Sequence, residues 1–164
     1  MLYMKLYFLR HAEAADGAND AARPLTKKGQ DQCCAMGTYL ADLGIKFDAA
    51  YTSPLVRAVE TAEIVLALTN KKAKVKLQKT DLLLNEAPGR KFDAWLETFK
   101  DKEDILLVGH NPSMTEHVAR LLGVSFSASV NLPKGALAVL KWAPPETAEL
   151  KLFITPKGTG KMKE

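Results

Sequence analysis

The stretch LYFLRHAEA (residues 6–14) begins as an unbroken apolar run and stops at a basic pair. Leu6 to Leu9 show no polar alternation, the pattern of a strand covered on both faces, and such strands belong to parallel sheets flanked by helices. Arg10 and His11 therefore fall at the C-terminal end of the strand, the edge at which open α/β sheets bind ligands. The stretch DILLVGHNPSM (residues 104–114) repeats the design. Ile105 to Val108 form a second apolar run, Gly109 turns the chain, and Asn111 with Pro112 opens a helix that ends near Gly123.

Strand and helix patterns alternate between these two stretches. Thr26 is placed to cap an amphipathic helix whose apolar positions are Cys33, Met36, Gly37, Leu40 and Leu43, with Gly44 as its stop. FDAAYTSP (residues 47–54) supplies a strand. Ser53 and Pro54 then start a second helix, serine as its cap and proline at its first position, continuing through Val59, Ala62, Val65 and Leu66. A short strand near Lys74 to Gln78, a loop through NEAPGRK (residues 85–91) and a helix over Phe92 to Phe99 follow. ALAVLKW (136–142) and AELKLFI (148–154) straddle the turn APPETA and form an antiparallel hairpin at one sheet edge. The expected fold is a three-layer α/β/α sandwich with a mostly parallel central sheet, one domain over residues 1–155 followed by a flexible C-terminal tail, 156–164.

The 164 residues are 47% hydrophobic and 26% charged, the balance of a globular chain with a core of its own. The net charge of +4 comes partly from Lys157, Lys161 and Lys163 near the end. The other basic cluster, Lys71, Lys72, Lys74, Lys76 and Lys79, lacks interleaved aromatic residues, which argues against a nucleic-acid groove. Cys33 and Cys34 are adjacent, a spacing that suits neither a disulfide framework nor a zinc site. The opening MLYMKLYFL has no basic leader region or small-residue cleavage site, and its apolar part is too short to span a bilayer. A cytoplasmic, monomeric protein with no membrane attachment is expected.

Three strand-to-helix junctions carry the chemistry: Arg10 with His11 after the first strand, Arg57 after the second, and His110 after the fourth. In a parallel sheet these junctions converge on one edge, where helix N-termini add free backbone N–H groups. Two guanidinium forks match the oxygens of a phosphoryl group. A neutral imidazole can attack phosphorus and carry a covalent intermediate, and nearby arginines help keep it neutral. Spacing leaves open which histidine attacks.

The ordered series LYFLRHAEA, RPLTKKG, TSPLVRAVETAEI and VGHNPSM resembles that of the histidine phosphatase superfamily, which includes the phosphoglycerate mutases. It is most similar to the small branch of SixA-type protein phosphohistidine phosphatases, over about residues 3–154. The resemblance implies a phosphoglycerate mutase-like fold without a large cap domain. It implies His11 as the nucleophile that becomes phosphorylated, Arg10, Arg57 and His110 as the groups binding the phosphoryl, and catalysis without a metal or other cofactor. Ala12 stands where the superfamily usually has glycine. Arg23, ahead of Pro24, positions the loop at the helix start and is also a candidate substrate contact. The general acid of the larger members sits on an inserted segment, for which this chain has no room. Glu86, in LLNEAPG, resembles the corresponding step of the mutases, and Glu13 beside the first motif is the other candidate.

A phosphohistidine has a labile P–N bond and an imidazole leaving group, so it needs less proton help than an alkyl ester. An uncapped site also admits a protein surface. The expected activity is dephosphorylation of phosphohistidine on a signalling histidine phosphotransfer domain. A phosphatase of a small sugar or cofactor phosphate ester is the alternative enzyme, favoured if Glu86 is essential. A phosphoprotein-binding module without turnover is the alternative of another class.

Overall fold

The computed structural model describes residues 3–125 and 127–162. Its elements in chain order are β1 (Met4–Arg10), α1 (Lys27–Asp42), β2 (Ala49–Thr52), α2 (Val56–Thr69), β3 (Leu77–Lys79), α3 (Gly89–Leu96), β4 (Asp104–Gly109), α4 (Ser113–Leu122), β5 (Leu137–Trp142) and β6 (Glu149–Ile154), with short 3-10 turns between some of them. One six-stranded sheet runs in the order β3-β2-β4-β1-β5-β6. The first four of these strands are mutually parallel, and β5 is antiparallel to both β1 and β6.

Alternation along the strands builds the three layers. From β1 and β4, Leu6, Phe8, Ile105 and Leu107 face a core with Phe92 and Leu96 of α3 and Met114, Val118 and Leu121 of α4. Tyr7, Leu9, Leu106 and Val108 face the opposite core, against Met36 and Leu40 of α1 and Ala58, Ala62 and Val65 of α2. Each face of β1 and β4 is thus covered by a helix pair, which is why these strands read as unbroken apolar runs. The α/β/α sandwich and the edge hairpin are as the sequence predicts.

The sheet order puts β1 beside β4, with Arg10 opposite Gly109. α1 leaves β1 toward one face and α4 leaves β4 toward the other. The crevice between the two strand ends is therefore the topological switch point at which such sheets bind ligands.

Several boundaries differ from expectation. α2 starts at Val56, with Leu55 at its cap; the Ser53 hydroxyl accepts from the Leu55 N–H (3.3 Å) and also bonds His110. α4 likewise starts one residue after Pro112, and Gly123 closes it in the left-handed conformation (φ 72°). α3 absorbs Gly89 to Lys91 from the predicted loop and ends at Leu96, where Phe99 turns back by a 3-10-type bond to the Leu96 carbonyl. The third strand is shifted to Leu77–Lys79.

Part of the expected C-terminal tail makes contacts with the domain. Lys157–Thr159 form a 3-10 turn, Thr159 is buried, and Lys161 pairs with Asp42 at the end of α1 (2.9 Å). The polar composition conceals these tertiary contacts. Lys163 and Glu164, also assigned to the tail, lie outside the described residues.

Candidate active site

The end of β1 is fixed on both sides by backbone bonds. His11 N–H donates to the Gly109 carbonyl (3.0 Å), and Arg10 N–H donates to Ala136 (3.1 Å). The Gly135 N–H donates in return to the Arg10 and His11 carbonyls (3.2 and 3.0 Å). The chain turns so tightly there that Gly135 has φ 75°, a value that favours glycine. His11 is thereby held against β4 and the loop before β5.

The His11 ring lies 2.7 Å through Nδ1 from the Ala12 carbonyl. A carbonyl only accepts, so Nδ1 carries the proton and Nε2 keeps its lone pair. The His110 ring faces it, centroids 5.0 Å apart. His110 Nε2 shares a 2.6 Å hydrogen bond with Ser53 Oγ, while His110 Nδ1 is buried without a partner among the described residues. Burial first, then the charges of His110, Arg57 and Arg10, pull the His11 pKa down to about 3, against the opposing pull of the Ala12 carbonyl. Burial and the neighbouring Arg57 draw His110 down to about 4. Both imidazoles are neutral near pH 7, each less than 10% exposed.

The two arginines are held from different sides. Arg10 donates through Nη1 to the Leu132 carbonyl (3.0 Å), and its buried Nε has no partner among the described residues. Arg57, on the first turn of α2, donates through Nη1 to the Asp20 carbonyl (2.9 Å) and through Nη2 to the Asp20 carboxylate (3.3 Å). Thr61 Oγ accepts from the Ala12 N–H (3.1 Å) and donates to the Arg57 carbonyl (2.7 Å), coupling the β1 turn to α2. Orphaned nitrogens on Arg10 and His110, beside a neutral imidazole and a second guanidinium, make a cationic pocket with donors to spare. Such a pocket suits a tetrahedral oxyanion.

The structure thus brings His11, His110, Arg10 and Arg57 together. Arg23 stands one residue removed: its Nε donates to the Ala15 carbonyl and its Nη1 to Asp20 (2.9 Å), so it supports the loop. The Glu13 carboxylate is not with the histidines. It accepts from Thr26 Oγ (3.0 Å) and lies 3.6 Å from Lys28, at the start of α1. Glu86 is exposed on a separate cleft of about 400 Å³ beside Thr80, Asp81 and Lys91. Its neighbour Asn85 instead braces the His110 turn, donating to the Asn111 carbonyl and accepting from the Ser113 N–H.

Sequence reasoning missed Asp20 and the second use of Ser53. Asp20 bridges Arg57 and Arg23, whose cations hold its carboxyl below the ordinary carboxylate range. Its loop reads as turn-forming residues long enough to fold over the site, with no signal that singles out Asp20. Among the described residues no cluster of three or more His, Cys, Asp and Glu side chains is arranged to hold a metal ion, and no helix is long and apolar enough to cross a membrane.

Fold and site together define an α/β domain with a cationic pocket at the switch point of its sheet. The chain belongs to the histidine phosphatase superfamily (branch 1), whose family model matches residues 6–87. An uncharacterised protein of Picosynechococcus sp. is 35% identical over 143 residues, 84% of this chain and 85% of that one. The phosphohistidine phosphatase SixA of Escherichia coli (strain K12) is 36% identical over 63 residues, 38% of this chain and 39% of that protein. Among solved structures, the protein histidine phosphatase SixA complexed with tungstate superposes with a TM-score of 0.85 at 23% identity, covering 94% of this chain and 98% of that one. The phosphoglycerate mutase-like fold is therefore the observed one, and family membership supports phosphatase activity.

Proposed function

We propose that the protein is a metal-independent phosphatase that acts through a phosphohistidine intermediate on His11, removing the phosphoryl group from phosphohistidine on a signalling phosphotransfer protein. The observation that carries this reading is the neutral His11 ring, its Nε2 lone pair free, facing His110 across 5.0 Å between two arginines. That Nε2 attacks phosphorus as the P–N bond to the substrate imidazole breaks. The bonding pair returns to the leaving ring nitrogen, which takes a proton from solvent. Water then attacks the phosphoryl group on His11, and the imidazole departs as it was. Arg10, Arg57 and His110 hold the equatorial oxygens, where charge accumulates.

The leaving group supports the choice of substrate. An alkoxide needs a proton donor, yet Glu13 is bound at the start of α1, Glu86 is on another cleft, and Asp20 is held ionised by two arginines. An imidazole needs none of them. The likeness in fold to a protein histidine phosphatase whose structure holds tungstate, a tetrahedral oxyanion, agrees with this reading.

The test is phosphate release in EDTA by wild type and His11→Ala, comparing a phosphohistidine-bearing phosphotransfer domain with a panel of small phosphate esters. The expected result is preference for the phosphoprotein, abolished in the variant, with acid-labile phosphate trapped on the wild type alone. Full activity of His11→Ala would sink the covalent mechanism. Faster turnover of an ester would move the substrate to small molecules and make Glu86 the next residue to replace. Phosphoprotein binding without phosphate release would make it a binding module.

A further inference from the structure

A second cationic cleft adjoins the pocket. The C-terminal segment forms one of its walls, α1 its floor, and the loop before β5 the other wall, enclosing about 710 Å³. Lys28, Lys134 and Lys157 line it, with Pro133, Pro156 and Met162 as its apolar part, and no acidic residue belongs to the lining. We propose that this cleft binds acidic side chains of the protein that carries the phosphoryl group, an inference that rests on the phosphoprotein reading above.

The cleft is a built feature. Gly135 adopts φ 75°, and a Cβ there would stand 2.9 Å from Pro156 Cγ, so the C-terminal segment is pressed against the loop. The Lys161–Asp42 pair and buried Thr159 hold that segment on α1. One wall and the floor are also bonded to the catalytic strand end. Gly135 donates to the Arg10 and His11 carbonyls, and Gln32, on the floor, accepts from the Glu13 N–H (2.9 Å). The cleft is thereby tied to the strand end that carries Arg10 and His11.

The charge there is unspent. Lys28 has one carboxylate, Glu13, at 3.6 Å, whereas Lys134 and Lys157 are exposed and unpaired among the described residues. Lysine supplies a mobile point charge where arginine supplies a fixed fork. Three lysines around a wide, partly apolar cleft therefore suit carboxylates at variable positions better than a second phosphate. Charges so placed raise the encounter rate of an acidic partner and lose their effect in salt.

The test uses the double variant Lys134→Glu/Lys157→Glu, which leaves every residue of the phosphoryl pocket intact. Turnover of a phosphohistidine protein and of phosphoimidazole is compared across salt concentrations, and binding of a labelled polyglutamate peptide is followed by anisotropy. The expected result is that kcat/KM for the phosphoprotein falls about tenfold and loses its salt dependence, as for removal of steering charges. Phosphoimidazole turnover stays unchanged, and the peptide binds wild type alone. Equal peptide binding by both proteins, or a parallel fall in phosphoimidazole turnover, overturns the proposal. If wild type hydrolyses phosphoimidazole but no phosphoprotein while Lys134 and Lys157 still govern peptide binding, the substrate reading fails and the acidic-ligand site stands.

Discussion

Thr61 joins the backbone beside His11 to the helix turn bearing Arg57 through one buried hydroxyl. Thr61→Val would leave the Ala12 N–H buried without an acceptor, a cost of about 1–3 kcal/mol. The expected outcome is a lowered urea midpoint and a kcat about tenfold down, since small displacements of reacting groups slow catalysis. An unchanged kcat would show that the coupling positions nothing. Asp20 gives a prediction of opposite sign. Its carboxylate occupies Arg57, so Asp20→Asn should tighten inorganic phosphate binding about tenfold in calorimetry, equivalent to about 1.4 kcal/mol; weaker binding would make Asp20 the group that holds Arg57 in place. At this scale the four central residues are legible, because each follows a strand or opens a helix that the apolar pattern locates. Asp20 is not, since its tie to Arg57 crosses 37 positions and leaves no local trace. Ser53 is half legible: its hydroxyl accepts from the Leu55 N–H at the helix start, as Ser-Pro suggests, but its bond to the distant His110 leaves no local trace.

α1 sets the site through its close approach to the β1 turn. A Cβ on Gly29 would stand 2.0 Å from the Glu13 carbonyl oxygen, whereas one on Gly37 would meet the flexible Leu68 Cδ1 at 2.7 Å and the Val65 Cα at 3.3 Å. Backbone cannot yield as a side-chain end can. Gly29→Ala should therefore depress the melting temperature well beyond Gly37→Ala, for which overpacking costs about 1–3 kcal/mol, and it should reduce activity as well. Similar melting temperatures for the two would refute this packing account. The existence and type of the main helices and strands are legible from period and caps, Thr26 being an example: its hydroxyl accepts from the Gly29 N–H as the pattern predicts. The ends and the C-terminal turn are less so. α2 begins at Val56 rather than at Pro54, although Ser53 Oγ accepts from the Leu55 N–H, and the turn at Lys157–Thr159 is held by Asp42 and α1 rather than by apolar residues of its own.

Three buried histidines govern the pH response of the whole molecule. His11 and His117 are drawn down to about 3 and His110 to about 4, burial being the first cause in each, and His117 also stacks on Phe92 at 3.7 Å. Their ordinary value is 6.5, so between that and the folded values the unfolded chain binds more protons. Their contribution is fully present above 6.5 and lost as pH falls toward 4 and 3. Each contributes a slope of about 1.4 kcal/mol per pH unit in that window. Urea midpoints should be flat near neutrality and fall steeply below about pH 6, with a shallower fall in His117→Gln. A flat acidic limb would mean that the rings are hydrated in the folded protein.

The strand order also dictates when the pocket comes into being. β1 is made before its sheet neighbours β4 and β5, which leave the ribosome only after the intervening helices and strands. Such long-range pairings form late in folding. A nascent chain stopped before Asp104 carries His11 and lacks the Gly109 and Gly135 bonds that fix it, so such a fragment should be inert until β4 and the loop before β5 have been added.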